Sequence, residues 1–310
     1  MGLPVYNAEN FINQSIDALL GQTYGDFELV ISDNASTDGT EDICRIYEKQ
    51  DSRIRYIRQP RNIGLAPNHN FTLDVAGTEL FKWAAHDDLY ARDLLQACVT
   101  ALDERPDAVL AHSWTARIDG RGNVTKTEPY PLDTSAPRAP TRFRSTLFGI
   151  GGDDDGGVIR TEVLRRVAPC DSYHHADRTQ IAELALHGPF HHIPEYLYFR
   201  RDHPERAEEK YVDPHAKTAH LDPRRADRLR NPAIRLYGEY LWGFLGAVNR
   251  SPLSTAERRE CYRYLAQYLL SRARIGHPYQ EIEKSQRKSD DFAELDVSAV
   301  VAGQEKVHDG

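Results

Sequence analysis

The sequence predicts an α/β fold, a mostly parallel sheet flanked by helices and followed by a C-terminal helical extension. Three observations carry that expectation. Short apolar runs alternate with 3.6-period apolar patterns along the first hundred or so residues, the pattern of linked βαβ units. Polar loops rich in Asp and Asn follow those runs, where the carboxyl ends of parallel strands would put them. The stretch Leu-Phe-Lys-Trp-Ala-Ala-His-Asp-Asp, residues 80–88, opens as a buried strand and closes on two adjacent carboxylates.

From the N-terminus, Leu3-Pro4-Val5-Tyr6 reads as the last residues of a strand, and either the numbered start lies inside that strand or the protein tolerates a shortened one. Asn7 is placed to cap a helix through Phe11, Ile12, Ile16, Leu19 and Leu20, ended by Gly21. A second strand over 27–32 leads into the turn-forming run Asp33-Asn34-Ala35-Ser36-Thr37-Asp38-Gly39-Thr40, and a helix through Ile43, Ile46 and Tyr47 comes next. A third strand over 55–58 precedes Asn62-Ile63-Gly64, with Pro67 fitting the first turn of the next helix. After the 80–88 stretch comes a helix over 92–105.

Composition narrows the function. The chain of 310 residues has room for one large domain or two modest ones. Its net charge of −8 argues against a nucleic-acid partner held by electrostatics. Cys44, Cys98, Cys170 and Cys261 are scattered without metal spacing and read as reduced thiols. With no membrane-spanning run and no signal-peptide pattern, a cytoplasmic protein is expected.

Asp87 and Asp88 are predicted to stand on the rim of a ligand crevice, where hard oxygen ligands suit Mg²⁺ or Mn²⁺. The plainer alternative is that one of them caps the following helix. With these residues in hand the chain resembles glycosyltransferase family 2. The resemblance rests on Gly2-Leu3-Pro4-Val5-Tyr6-Asn7, the 33–40 loop, Asn62-Ile63-Gly64 with Asn70 beyond, and His86-Asp87-Asp88, in the family's order. It implies the single-domain GT-A arrangement over 1–206, with a nucleotide-binding half over 1–118 and an acceptor half over 119–206. It also implies a nucleotide-sugar site at Pro4, Tyr6, Asn7, Asp33, Asn62, Gly64, Asn70, His86 and Asp87. Asp33 would contact the base or ribose, and the metal role falls mainly on Asp88, because His86 replaces the first Asp of the family's DxD motif.

In the second half, 108–118 alternates like a strand, and Asp119-Gly120 with Gly122-Asn123 reads as a hairpin turn. A Pro-rich loop over 127–140 leads to a short helix over 142–148. The acidic run Asp153-Asp154-Asp155 between glycines reads as a solvated loop or acceptor lid, since it precedes a strand instead of ending one. Asp177 sits where a helix N-cap belongs. The resemblance implies instead that it is the catalytic base of an inverting transfer. His174 and His175 beside it are given no task. A strand over 195–201 leads to His203, which the resemblance places near the metal or diphosphate and which is otherwise a surface histidine. Arg200, Arg201 and Arg206 are expected to pair with phosphate oxygens.

Past Glu205 a charged connector precedes two helices over 232–249 and 254–276, making 207–282 a helical extension. These helices are expected to pack on the catalytic domain, and their flanking arginines leave room for a homodimer or for peripheral contact with the inner face of a membrane. Residues 283–310 read as a disordered polar tail. The function expected is a metal-dependent inverting transfer of sugar from a nucleoside diphosphate sugar to a hydroxyl acceptor, whether glycan, lipid-linked or natural product. A sugar-nucleotide nucleotidyltransferase would want a Gly-rich basic phosphate loop, which 4–9 lacks. An inactive nucleotide-sugar-binding scaffold is supported by the short first strand and by His86.

Overall fold

A computed structural model describes residues 1–149, 156–173, 175–206, 210–211, 213–227, 230–275 and 296–302. His174 and the Asp153-Asp154-Asp155 loop lie outside the described residues. Strands β1 (Gly2–Val5), β2 (Leu29–Asp33) and β3 (Ile54–Arg58) pair in parallel in that order, with Leu3 opposite Ile31 and Ile31 opposite Tyr56. All five residues of β2 are buried, as a central strand covered on both faces must be. Helices α1 (Ile12–Leu20) and α2 (Thr40–Gln50) link these strands, and α3 (Leu65–Asp74) leads out of the sheet. α1 buries Ile12, Ile16 and Leu19, a 3.6-period stripe in the core shared with Leu3, Ile31 and Leu89. Asn7 does not cap it. The helix starts at Ile12, and Asn7 stands in the preceding loop at φ 50.

The 80–88 stretch divides its pairing between two sheets. β4 (Leu80–Phe81) runs antiparallel to β8 (Val158–Arg160), while Gly2 N donates to Lys82 O and Ala84 N to Gly2 O, both at 2.9 Å. The stretch therefore stitches the first sheet to a second, ordered β4-β8-β6-β9-β5. Here β6 (Leu110–Ile118) and β9 (Phe190–Arg201) are parallel, and the short β5 (Leu89–Tyr90), β7 (Val124–Glu128) and β8 join antiparallel. β9 begins five residues earlier than its pattern implies. Pro194, which cannot donate to a ladder, is passed over by a register shift in which Ser113 faces Ile193 and Trp114 faces Tyr196.

α4 (Leu94–Glu104) covers β6 and β9, and α5 (Ala139–Phe148), α6 (Thr161–Leu164) and α7 (Ala176–His187) complete the second half. After α8 (Pro214–Leu221), the long helices α9 (Ala233–Arg250) and α10 (Thr255–Ile275) pack against α5 and α7. Phe244, Ala247 and Val248 meet Phe143, Leu147, Ala182 and Leu186 there, with Cys261, Leu265 and Tyr268 closing the cluster. Each fully buried side chain of Phe244's size contributes about 1.5–3 kcal/mol. Ser254 and Glu257 start α10 with reciprocal bonds, the capping box. Within the tail expected to be disordered, α11 (Val297–Ala302) docks on the first half, because Val297 and the partly buried Val300 and Val301 have an apolar core to reach. No helix among the described residues is long and apolar enough to cross a membrane.

Candidate functional site

The loops after β1 and β2 and the turn before α3 meet at one end of the first sheet. Asn7 and Ala35 are left-handed there, at φ 50 and φ 60, a strain of about 1–3 kcal/mol each that the surrounding bonds must hold. Asn7 N donates to Ser36 Oγ at 2.9 Å, Thr37 N donates to Asn7 Oδ1 at 2.9 Å, and Ala8 N donates to Thr40 Oγ1 at 2.7 Å. Asn34 ties in the third loop, accepting from Ile63 N at 2.8 Å and donating to Asn62 Oδ1 at 3.0 Å. Asn68, buried on α3, exchanges two bonds with Ser32. Between these loops lies a cavity of about 510 Å³.

Of the residues expected in the nucleotide-sugar site, Pro4, Tyr6, Asn7, Asn62, His86 and Asp87 line this cavity, and so does His203, expected at the metal. Asp33 stands behind its wall with no exposed surface, accepting from Ser36 N at 2.8 Å and from Tyr56 Oη and Arg58 Nη1 at 2.6 Å each. Gly64, at φ 96, supports the cavity by close approach. A Cβ there would stand 2.5 Å from Leu221 O. Asn70 points away, bonding Cys170 O and N at 2.7 and 3.0 Å, and borders a different cavity.

The two carboxylates part company. Asp87 faces the cavity and accepts from His203 Nε2 at 3.0 Å, with Arg206 Nη1 3.8 Å away. Burial acts to raise its pKa, but the bond from His203 and the positive charge of the neighbouring His and Arg groups hold it well below the usual carboxylate range. Asp88, expected to be the main metal ligand, is turned inward and fully buried. The cause is local. β5 follows it at once and pairs with β9, so Asp88 Oδ1 takes Arg201 N at 2.8 Å and its Oδ2 accepts from Tyr198 Oη. Burial and the Asp87 charge push its pKa up to about 6.

The arginines also separate. Arg201 is buried, donating to Asp87 O at 2.8 Å and to Gln14 Oε1 at 2.8 Å, with its guanidinium 4.7 Å over the Phe11 ring. Its role is to brace the carboxylate loop rather than to meet phosphate. Arg206 lines the cavity, held by Arg201 O at 2.8 Å and by Asp88 at 3.4 Å. Lys210, Tyr211 and His220 complete the wall, the last two stacked at 4.5 Å. No motif marks these three, because the connector that carries them is charged and aperiodic. The connector thus belongs to the site.

Among the described residues no cluster of three or more His, Cys, Asp or Glu surrounds a point fit for a metal ion. Asp87 and His203 both line the cavity, with Oδ2 and Nε2 bonded to one another at 3.0 Å. Were that bond exchanged for an ion, one carboxylate oxygen and one imidazole nitrogen would suit Mn²⁺ taking its other ligands from water and phosphate. Asp177 is the second residue of α7, exposed, with left-handed His175 (φ 64) rather than Asp177 in the capping position. It lines neither this cavity nor the one beside Asn70.

Comparison with known proteins agrees with this geometry. The sequence profile described as Glycosyl transferase family 2 matches residues 2–168. TuaG of Bacillus subtilis, a glycosyltransferase provisionally assigned to teichuronic acid biosynthesis, is 34% identical over 102 residues, covering 33% of this chain and 40% of that protein. Glycosyltransferase GlyG of Streptococcus pneumoniae is 26% identical over 121 residues, covering 39% and 40%. The matches thus span about two fifths of the length of these curated relatives. Among solved structures, TarS 1–349 of Staphylococcus aureus in complex with UDP-GlcNAc superposes with a TM-score of 0.62 at 17% identity, over 88% of this chain and 72% of that one. The mannosyltransferase PcManGT of Pyrobaculum calidifontis, in complex with GDP-Man and Mn²⁺, gives 0.50 at 17% identity over 88% and 86%. With the profile spanning just over half of its length from the first strand onward, the chain belongs to glycosyl transferase family 2.

Proposed function

We propose that the protein transfers a sugar from a nucleoside diphosphate sugar to a hydroxyl acceptor, with inversion at the sugar carbon. The observation that carries this reading is the mixed lining of the first cavity. Asn34, Asn62 and Asn68 offer amides to it, Glu9, Asp38, Asp87 and Glu205 offer carboxylates, and His203, Arg206 and Lys210 offer an imidazole and two cations. A nucleoside diphosphate with a divalent ion calls on all of these, amides for the base, carboxylate and imidazole for the ion and cations for the phosphates. The complexes of TarS with UDP and UDP-GlcNAc and of PcManGT with GDP-Man and Mn²⁺ support a donor of this class.

Asp87 and His203 would hold a divalent ion, which when bound supplies Lewis-acid stabilisation of the departing diphosphate. Arg206 and Lys210 meet the same developing charge as fixed cations, with Arg206 preorganised by Asp88 and Arg201. Asp177, which the resemblance makes the base and which lines neither cavity, would take the proton only from an acceptor hydroxyl brought to the start of α7. A carboxylate is a far weaker base than an alkoxide, so such a residue contributes by placement. The kinship with TuaG supports an acceptor in surface-polysaccharide biosynthesis.

The test is thermal unfolding with UDP, dTDP and GDP, each with and without Mn²⁺. One nucleotide at a hundred times its Kd should stabilise the protein by about 2.7 kcal/mol, and more weakly without the ion. No stabilisation by any of the three would overturn the reading.

A further inference from the structure

A second cavity, of about 580 Å³, lies across α3 from the first. Leu65 and Asn68 of that helix border the first cavity, and Pro67 and Asn70 border the second. Most of its charges are already matched. Glu183 takes Arg250 in a two-point pair at 2.8 and 2.7 Å, Glu239 takes Arg225 at 2.9 Å twice, and Arg224 is held by Asp222 at 2.9 and 2.8 Å. Asp171, the remaining carboxylate, receives the neutral Ser172 N at 2.6 Å. A phosphate would have to break one of the arginine pairs to gain a counter-charge. A neutral polar ligand would not.

Trp242 also lines this cavity, and 71% of its surface is exposed, although Phe244 and Ala247 on the same helix are fully buried. A large flat apolar ring on the edge of a polar cavity whose arginines are already paired offers a stacking face to a neutral ligand there. Sugars present that combination, a C–H face that packs on an aromatic ring and hydroxyl edges that bond amides and carboxylates. The second cavity also adjoins the first through one turn. Asp222 and Pro223 press on Gly64 at the first, and Arg224, the next residue, borders the second.

We infer that this second cavity is a carbohydrate-binding site that seats a neutral oligosaccharide on Trp242, separated by α3 from the donor cavity. The inference rests on the reading of the protein as a transferase acting on a glycan. Its test is calorimetric titration of the full chain with short oligosaccharides of N-acetylglucosamine and of glucose, in parallel with UDP and Mn²⁺. One oligosaccharide series should bind. Trp242→Ala should weaken that binding about tenfold, and Trp242→Phe, which keeps a ring, by much less. UDP affinity should be the same in all three proteins, since Trp242 is outside the donor cavity. Oligosaccharide binding that Trp242→Ala leaves unchanged would overturn the site. No binding of either series at millimolar concentration, with UDP affinity intact, would overturn it too and leave the donor reading standing.

Discussion

Around β1, β2 and β3 the residues facing the first cavity are fixed by side chains that bond loop backbone, as Asn7, Asn34 and Thr40 do. In the second sheet the comparable fixing is done by buried charge, with Asp88 gripping Arg201 N, Tyr198 Oη and Arg206. The first arrangement is tolerant, because each bond is one of many. The second joins residues more than a hundred positions apart, and losing one partner strands the others in a dry place. Adjacent residues of one motif can therefore face opposite ways, Asp87 into the cavity and Asp88 into the scaffold.

Catalysis should show the largest separation between ligand-facing and scaffold residues. Asp177→Asn should lower kcat about 10²–10⁴-fold while leaving nucleotide affinity and melting temperature nearly unchanged, since the side chain is exposed and Asn keeps its shape. Near-normal kcat on a working acceptor would remove Asp177 from the mechanism. Next comes the carboxylate pair. Asp88→Ala should cost about 2–4 kcal/mol in denaturant unfolding, because three donors lose their acceptor. Asp87→Ala should cost about 1 kcal/mol yet abolish the Mn²⁺-dependent part of UDP binding. The reverse pattern would mean that the inward carboxylate, not the outward one, serves the donor.

Legibility in the sequence divides along the same line. The first sheet and its loops were legible because apolar period, Asn and Asp turn chemistry and loop length agree with one another. The orientation of Asp88 was not, since an Asp-Asp pair carries no sign of which member a later strand will capture. β9 was half hidden by Pro194, which reads as a break. Tyr211 and His220 lacked any local pattern, and their place in the cavity depends on Gly64 making room for the turn at Leu221.

That close approach supplies a smaller effect. Gly64→Ala should destabilise by about 1–3 kcal/mol, from the φ of 96°. The same change should weaken UDP binding by displacing the wall. Unchanged affinity would show that the connector is not needed there.

The smallest effect concerns acid. His112 on β6, within 4.8 Å of His192 on β9, is held down to about 3 by burial and by the neighbouring histidines, and His192 to about 4 by burial and His191. Between those values and the ordinary 6.5 the unfolded chain binds more protons, so stability is complete above about pH 6.5 and falls as pH drops. His112→Phe, which keeps the edge contact with Tyr130, should flatten that fall by on the order of 1–2 kcal/mol between pH 7 and pH 5. An unchanged pH profile would mean that another group governs acid sensitivity.

The turn at Leu221 resting on Gly64 also sets a timetable for synthesis. The ribosome delivers β1 to β3 and their loops early, but the residues that close the first cavity arrive roughly 160 positions after Gly64. At 5–20 residues per second that is an interval of about 10–30 s. During it, the first cavity of the nascent chain is open on one side. A ribosome-bound chain halted before residue 206 should therefore hold UDP more weakly than the released protein, with its parallel sheet already formed.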